Sequence, residues 1–156
     1  MIALLGKENL SEILVLYDGN FDDGWTESQL ISAFDSGRFL AFGKRENQKL
    51  IALLTISTTQ FDADIEGVVV DKEFRNKGYA IELLDFAQTE LKNQGIEKIF
   101  LEVRKSNLPA KSLYLKKGYK EISVRKKYYS DGEDAIVMLK EEGEEHYEQV
   151  YYGNRE

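Results

Sequence analysis

The chain has 156 residues, of which 42% are hydrophobic and 31% charged, and this fits one globular domain with its own core. It has no cysteine, which excludes disulfides, thiolate metal ligands and a cysteine nucleophile, and its one histidine, His146, lies in a polar stretch, which excludes histidine chemistry in the core. The net charge of −7 is uneven, because residues 140–156 hold six acids against two bases.

Charge and hydropathy also predict the boundaries of the domain. We expect a single domain at residues 1–140 and an acidic tail at 141–156, whose composition argues against tight packing. The first residues lack the features of a signal peptide, and no apolar run approaches the roughly 20 residues of a membrane span. These features predict a cytoplasmic protein with no membrane partner.

A basic run lies at residues 104–127, which carry nine lysines or arginines against one acid. Most charged runs are solvated faces, but an excess of this size also attracts polyanions, either nucleic acid or a nucleotide-like cofactor. The composition leaves these interpretations open.

The first half of the chain predicts one strand, two helices and three strands. The predicted elements are a strand at 2–5, helices within 9–17 and 25–37, two strands within 38–58 and a strand at 64–70. Thr26 and Gln29 have the spacing of a capping box at the start of the second helix, and Gly37 follows its end.

The second half continues with a helix from about Tyr79 to Gln94, which Gly95 ends. The later predicted elements are a strand at 96–103, a short helix with Pro109 in its first turn and Gly118 at its end, and strands at 119–129 and 134–140 joined by a tight turn at 130–132. The resulting order is β-α-α-β-β-β-α-β-α-β-β, which predicts a mixed α+β fold.

The segment "VVVDKEFRNKGYA" joins a predicted strand to the central helix. The run at 68–70 lacks alternation, which is typical of a strand buried on both faces. Gly78 permits close approach of an anion to the helix N-terminus, and Arg75 and Lys77 add positive charge. The turn therefore has the chemistry of a pyrophosphate site, although arginine and glycine also occur in purely structural turns.

The motif "RNKGYA" resembles the Gln/Arg-x-x-Gly-x-Gly/Ala motif of the GCN5-related N-acetyltransferase (GNAT) superfamily, which has the same order of elements. Residues 101–138, "LEVRKSNLPAKSLYLKKGYKEISVRKKYYSDGEDAIVM", are similar to the bacterial ribosomal-protein alanine N-acetyltransferase branch. The resemblance is strong over about 65–139. It implies a mostly antiparallel sheet of about seven strands flanked by about four helices, and acetyl-CoA as cofactor.

The resemblance implies a set of cofactor-binding residues. These are Val68, Val69 and Val70, which would pair with the pantetheine arm, and Arg75, Asn76, Lys77, Gly78, Tyr79, Ala80 and Ile81, which would take the pyrophosphate. A main-chain N–H near Val70 would stabilise negative charge on the thioester oxygen. Asn107 matches a cofactor contact, but its position also suits a helix cap.

The resemblance also implies two catalytic residues and no metal. Glu102 matches the family's general base, and its competing interpretation is a glutamate on a solvated strand face. Tyr114 matches the general acid that protonates the departing thiolate, and its competing interpretation is core packing beside Leu113. Acetyl transfer would be direct, without an acyl-enzyme.

On the acceptor side, Tyr128 and Tyr129 match a tyrosine pair of the family, and Trp25 resembles an aromatic residue near the start of its second helix. Glu66 is expected on the same side, where its negative charge would suit a cationic substrate. Departures lie at Glu66 and Gly67, where the family usually has asparagine before the strand core, and at Gly24 and Ser130, where it has proline. Because the residues on the acceptor side determine which amine is accepted, these departures concern the substrate more than the chemistry.

The leading hypothesis is acetylation of the α-amine of a protein, with a small-subunit ribosomal protein as the first expected acceptor. A polyamine, an amino acid or an aminoglycoside is the alternative within enzymes. A non-catalytic CoA-binding domain is the alternative outside them, and direct nucleic-acid binding is not expected.

Overall fold

The structure is a computed structural model that describes residues 1–18, 20 and 25–141. These residues form seven strands and four α-helices in the predicted order, and the predicted α+β class with a mostly antiparallel sheet is confirmed. The strands are β1 (Ile2–Leu5), β2 (Phe39–Glu46), β3 (Lys49–Thr58), β4 (Asp62–Val70), β5 (Lys98–Arg104), β6 (Lys120–Arg125) and β7 (Ala135–Glu141), and the helices are α1 (Leu10–Tyr17), α2 (Glu27–Asp35), α3 (Tyr79–Asn93) and α4 (Leu108–Lys116).

The chain divides into two compact units. The first comprises Met1–Thr59 and Ile65–Gln94, and the second comprises Gln60–Asp64 and Gly95–Glu156, of which residues 95–141 are described. β7 runs one residue past the predicted boundary at 140, and the rest of the predicted acidic tail lies outside the described residues. Among the described helices, none has both the length and the apolar character that crossing a membrane requires.

The first unit is a meander of antiparallel strands covered by helices. β2 pairs with β1 on one side and with β3 on the other, which places Leu5, Ala41 and Thr55 in one row across the three strands. α1 and α3 both contact β3, and the core residues include Ile13, Leu30 and Leu53. The predicted capping box at Thr26 is confirmed: its hydroxyl accepts the Gln29 N–H at 3.2 Å, and the Gln29 side chain accepts the Thr26 N–H.

The second unit is built on β7, which pairs antiparallel with both β5 and β6. β6 ends at Arg125, so the prediction that its strand continues to residue 129 is wrong. Lys127 adopts a left-handed conformation, with φ of +52°, and its N–H binds the Asp134 carboxylate at 2.9 Å. This turns the chain out of the strand, and Tyr128 and Tyr129 therefore lie in a loop.

Two strand glycines in the first unit have different amounts of space around them. A Cβ at Gly43 would lie 2.7 Å from Leu50 Cδ1 and 2.8 Å from Leu5 Cδ1, whereas a Cβ at Gly67 would lie 3.8 Å from its nearest neighbours, the hydroxyls of Tyr17 and Thr55. Gly43 therefore allows β1, β2 and β3 to pack tightly around Leu5 and Leu50.

We expect Gly43→Ala to lower the free energy of unfolding by about 1–3 kcal/mol, because overpacking forces neighbouring side chains from their preferred positions. Gly67→Ala is the matched control and should be neutral or slightly stabilising, because a strand alanine loses less backbone entropy than glycine. Urea unfolding of both variants tests this difference. Equal effects at the two positions would contradict the packing argument.

Candidate active site

The end of β4 leads into the segment that the sequence predicts to bind a pyrophosphate. Val69 is buried, but Val68 and Val70 are only half-buried, so the run is not buried on both faces as its lack of alternation predicted. The reason is that the sheet is mostly antiparallel, and such sheets commonly keep one face more open. After β4, a 3₁₀ turn at Lys72–Phe74 begins with Asp71, whose carboxylate accepts the Glu73 N–H at 3.0 Å.

The turn before α3 presents main-chain N–H groups at the helix N-terminus. Asn76 and Gly78 have φ of +63° and +84°, and Gly78 is the N-cap of α3. Within the described part of the chain, no side chain caps this end, and apart from Gly78 and its chain neighbours no heavy atom lies within 4 Å of the position that a Cβ of Gly78 would take. The first N–H groups of a helix have no intrahelical partner, so this turn suits an anion.

The charged side chains of this turn make contacts within the protein. The Arg75 guanidinium donates to the carbonyl oxygens of Val70 at 3.0 Å and Asn20 at 3.4 Å, and the Lys77 ammonium lies 5.3 Å from the centre of the Phe74 ring. Arg75 thus ties the turn to the end of β4. The sequence predicted only the charge of Arg75, and not its hydrogen bond to the Val70 carbonyl oxygen.

The first turn of α3 is also fixed. The Tyr79 hydroxyl donates to Glu46 Oε1 at 2.9 Å, and this bond, followed by burial, raises the pKa of Tyr79. Lys44 forms an ion pair with Glu82 at 3.0 Å and lies 5.8 Å from the Tyr79 ring centre. The predicted cofactor residues of the first unit therefore lie on a segment held at both ends.

Trp25 and Glu66 are connected through Tyr17. Trp25 packs edge-on against Phe39, with ring centres 5.4 Å apart, and both Trp25 and Thr55 lie close enough to the buried Tyr17 hydroxyl to lower its pKa. Burial is the main cause that raises the pKa of Tyr17 to about 12, and the charge of Glu66 adds to it. Glu66 itself is exposed and accepts the Ser57 hydroxyl at 2.5 Å.

Glu102 lies on β5 in the second unit. Ile99, Leu101 and Val103 point to the core, whereas the Glu102 side chain faces the other way and is 24% exposed. Its Oε1 lies 3.2 Å from Nε of Arg125, and it hydrogen-bonds with Tyr128. Glu102 therefore contacts one guanidinium and one hydroxyl.

The tyrosine pair packs edge-on, with the ring centres of Tyr128 and Tyr129 5.1 Å apart. The guanidinium carbon of Arg104 lies 4.1 Å from the centre of the Tyr129 ring, a cation–π contact. The bond to Glu102 is the main cause that raises the pKa of Tyr128 to about 12, whereas burial is the main cause that raises the pKa of Tyr129.

The loop at 126–134 is anchored to the end of β5. Arg104 Nη1 donates to Asp131 at 2.8 Å and to Glu133 at 3.1 Å, and Glu133 also accepts the Ser106 N–H at 2.9 Å. The Glu133 carbonyl accepts the N–H groups of both loop tyrosines. The sequence analysis missed Arg104 and Glu133, because it treated the first as part of a basic run and did not consider the second.

Tyr114 and Asn107 lie at opposite ends of α4. Tyr114 is half-buried and packs edge-on against Tyr119 at 5.8 Å, and burial, followed by the neighbouring Tyr129, raises the pKa of Tyr114. Its phenol therefore stays protonated at neutral pH. Asn107 Oδ1 accepts the Ala110 N–H at 3.2 Å, so Asn107 is the N-cap of α4.

Comparison with known proteins decides the family. The sequence profile of the Acetyltransferase (GNAT) family matches residues 9–119, more than half of the chain. The chain belongs to this GNAT family. Membership confirms the predicted class of enzyme, an N-acetyltransferase, and the predicted cofactor, acetyl-CoA, which the family uses.

Three proteins illustrate the similarity. The [ribosomal protein bS18]-alanine N-acetyltransferase of Haemophilus ducreyi is 33% identical over 88% of this chain and 97% of that enzyme. An N-alpha-acetyltransferase of Saccharolobus solfataricus is 44% identical over 49% of this chain, but the match spans only 46% of that protein. The crystal structure of the ribosomal-protein-S18-alanine N-acetyltransferase from Escherichia coli superposes with a TM-score of 0.84 at 29% identity, covering 90% of this chain and 92% of that one.

The residues of the first unit fit the phosphate end of acetyl-CoA. The space above Gly78 is one that any larger side chain would fill, and it lies at a helix end without a side-chain cap. Main-chain N–H groups with Arg75 and Lys77 nearby form a donor set that suits a diphosphate. The GNAT turn in this chain is therefore consistent with the family's cofactor.

Glu102→Gln should lower the pKa of Tyr128 from about 12 towards the ordinary tyrosine value of 10.0, because the main cause of the shift is the bond to Glu102. A raised pKa means that the folded state holds this proton more tightly, so the stability it contributes is present below pH 10 and is lost as the pH rises through about 12. Ultraviolet absorbance of the phenolate, compared between each protein and its Tyr128→Phe variant, measures the shift. Glu121→Gln is the control and should leave this titration unchanged.

The two predicted roles of Asn107, helix capping and a contact with the cofactor, can be tested separately. Asn107→Ala should lower the free energy of unfolding by about 1 kcal/mol, whereas Asn107→Ser should cost little, because serine caps helices nearly as well as asparagine. If the side-chain amide also contacts the cofactor, both variants will raise the KM for acetyl-CoA. Urea unfolding and steady-state kinetics of the two variants measure these effects, and an unchanged KM in Asn107→Ser would leave the cap as the only role.

Proposed function

We propose that this chain transfers the acetyl group of acetyl-CoA to the N-terminal α-amine of a protein, and that the acceptor is the N-terminal alanine of a small-subunit ribosomal protein. The observation that carries the proposal is the alignment with the Haemophilus ducreyi enzyme, named for bS18 alanine, which extends over nearly all of both chains. The match to an archaeal N-alpha-acetyltransferase supports the same kind of amine. A cytoplasmic location remains a prediction.

In the proposed reaction Glu102 is the general base. Acetyl-CoA, when bound, supplies the acetyl group as a thioester with an electrophilic carbonyl carbon. The Glu102 carboxylate accepts a proton from the α-ammonium, which leaves a nitrogen lone pair free to attack. An α-amino group has a pKa of about 7.7–8.0, so the base needs a fixed position more than unusual strength.

Tyr114 is the proposed general acid. Its phenol, kept protonated by burial, donates its proton to the sulfur as the bond between carbon and sulfur breaks, and the thiol leaves as free CoA. A main-chain N–H near Val70 stabilises the negative charge that develops on the thioester oxygen. The N–H groups from Arg75 to Ile81 bind the pyrophosphate, and the pantetheine arm pairs with the strand at Val68, Val69 and Val70.

The acceptor is proposed to contact Trp25, Glu66, Tyr128 and Tyr129. Trp25 and the two loop tyrosines present rings that are fixed by neighbouring side chains, which limits the entropy lost when a peptide binds. Glu66, held by Ser57, adds a negative charge that favours a cationic group in the acceptor.

The function is tested by following release of the CoA thiol with five amines: a peptide with N-terminal alanine, its N-blocked twin, spermidine, lysine and an aminoglycoside. We expect release only with the free peptide, and a loss of about 10²–10⁴-fold in kcat for Glu102→Gln, the usual contribution of a general base. Tyr114→Phe should also lower kcat. Release with a small amine instead would overturn the proposed acceptor, and CoA binding without turnover of any amine would indicate a non-catalytic domain.

A further inference from the structure

Arg125, on the edge strand β6, contacts Glu102, the proposed general base. Its Nε lies 3.2 Å from Glu102 Oε1, and its side chain is 59% exposed. An ion pair as exposed as this contributes little to stability, so folding alone does not require it.

The same guanidinium also packs on Tyr128. Its carbon lies 5.6 Å from the centre of the Tyr128 ring, and the Tyr128 hydroxyl hydrogen-bonds with Glu102. Arg125, Glu102 and Tyr128 therefore form a closed set in which each side chain contacts the other two. A carboxylate with two such contacts has fewer orientations than one on an open strand face.

We propose that Arg125 is a positioning residue for this acetyltransferase, which holds the Glu102 carboxylate in the orientation needed to accept the proton of the acceptor amine. The inference rests on the proposed role of Glu102 as general base. It goes beyond that role because it assigns a catalytic consequence to a residue on β6 that neither the motif nor the basic run distinguishes.

The physical reason is preorganisation. A glutamate side chain loses rotamer entropy when it is fixed, and contacts made in advance remove this cost from the reaction step. Lysine would not replace Arg125 fully, because an ammonium lacks the planar group that both bonds a carboxylate and stacks on an aromatic ring.

Arg125→Ala should lower kcat about 10-fold, a part of the 10²–10⁴-fold that a general base contributes, and should leave the KM for acetyl-CoA unchanged. Lys126→Ala, which removes the adjacent exposed charge, is the matched control and should keep the wild-type kcat. Added guanidinium ion should restore part of the lost kcat in Arg125→Ala, because the site is exposed, whereas sodium chloride at equal ionic strength should not. Full kcat in Arg125→Ala would overturn the inference.

A double-mutant cycle separates positioning from a general structural effect. In a Glu102→Gln background, Arg125→Ala should change kcat by less than about 2-fold, because the group it positions is gone. An equal loss in both backgrounds would overturn the inference. The cycle can be run with any amine that the wild type acetylates, so a wrong acceptor in the proposed function does not affect it.

The inference can also be tested without an activity assay. This matters if the wild type acetylates none of the amines, a result that would contradict the proposed function. The ¹³C resonance of the Glu102 carboxyl carbon should move in Arg125→Ala and stay in place in Lys126→Ala. A resonance that stays in place in both variants would overturn the inference on its own.

Discussion

The register of β7 is the constraint on which the second unit depends. β7 has a hydrogen-bonded strand on each side, so one register relates three strands at once. Across them Glu102 lies opposite Val137 and Ser123, and Arg104 lies opposite Ala135 and Arg125. Because side chains alternate along a strand, Glu102, Arg104 and Arg125 share one face. Two arginines and one carboxylate on a single face need further acids, which Asp131 and Glu133 supply to Arg104.

A bulge in β6 makes this arrangement possible. Glu121 lies opposite Met138 and Ser123 lies opposite Val137, so Ile122 is the extra residue. If β6 paired with β7 without the bulge, Val124 would take the place of Arg125 on the face of Glu102, because a shift of one residue turns every side chain to the other side. One inserted residue thus decides whether the carboxylate has an arginine or a valine as its neighbour.

The sequence predicted the elements and their caps because those signals are local. Thr26, Gly78 and Pro109 each determine structure within a few residues, and the structure has all three where the pattern placed them. The motif around Gly78 and the stretch from residue 101 also predicted the family, which the comparisons confirm. Family resemblance, rather than periodicity, supplied Glu102 and Tyr114, and their catalytic roles stay proposals.

The contacts among the site residues could not be predicted, because they depend on register and on loop geometry. No local pattern indicates that Arg75 reaches back to Val70, or that Arg125 meets Glu102 across an intervening strand. The end of β6 was misjudged for a related reason. The strand was predicted to run to Tyr128 and Tyr129, because tyrosine favours strands, but the bond from Lys127 to Asp134 turns the chain earlier.

The surroundings of Glu102 favour one class of amine over another. At pH 7 an α-amine with a pKa near 7.8 is already neutral in about one in seven molecules, whereas a lysine-type amine with a pKa of about 10.4 is neutral in about one in 2,500. A carboxylate that is fixed by a guanidinium and a hydroxyl is suited to deprotonating an α-amine, for which the orientation of the base limits the rate. A lysine-type amine needs a base that is strong as well as fixed in position. The proposed positioning of Glu102 therefore fits the proposed acceptor, a protein N-terminus, better than a polyamine or a lysine side chain.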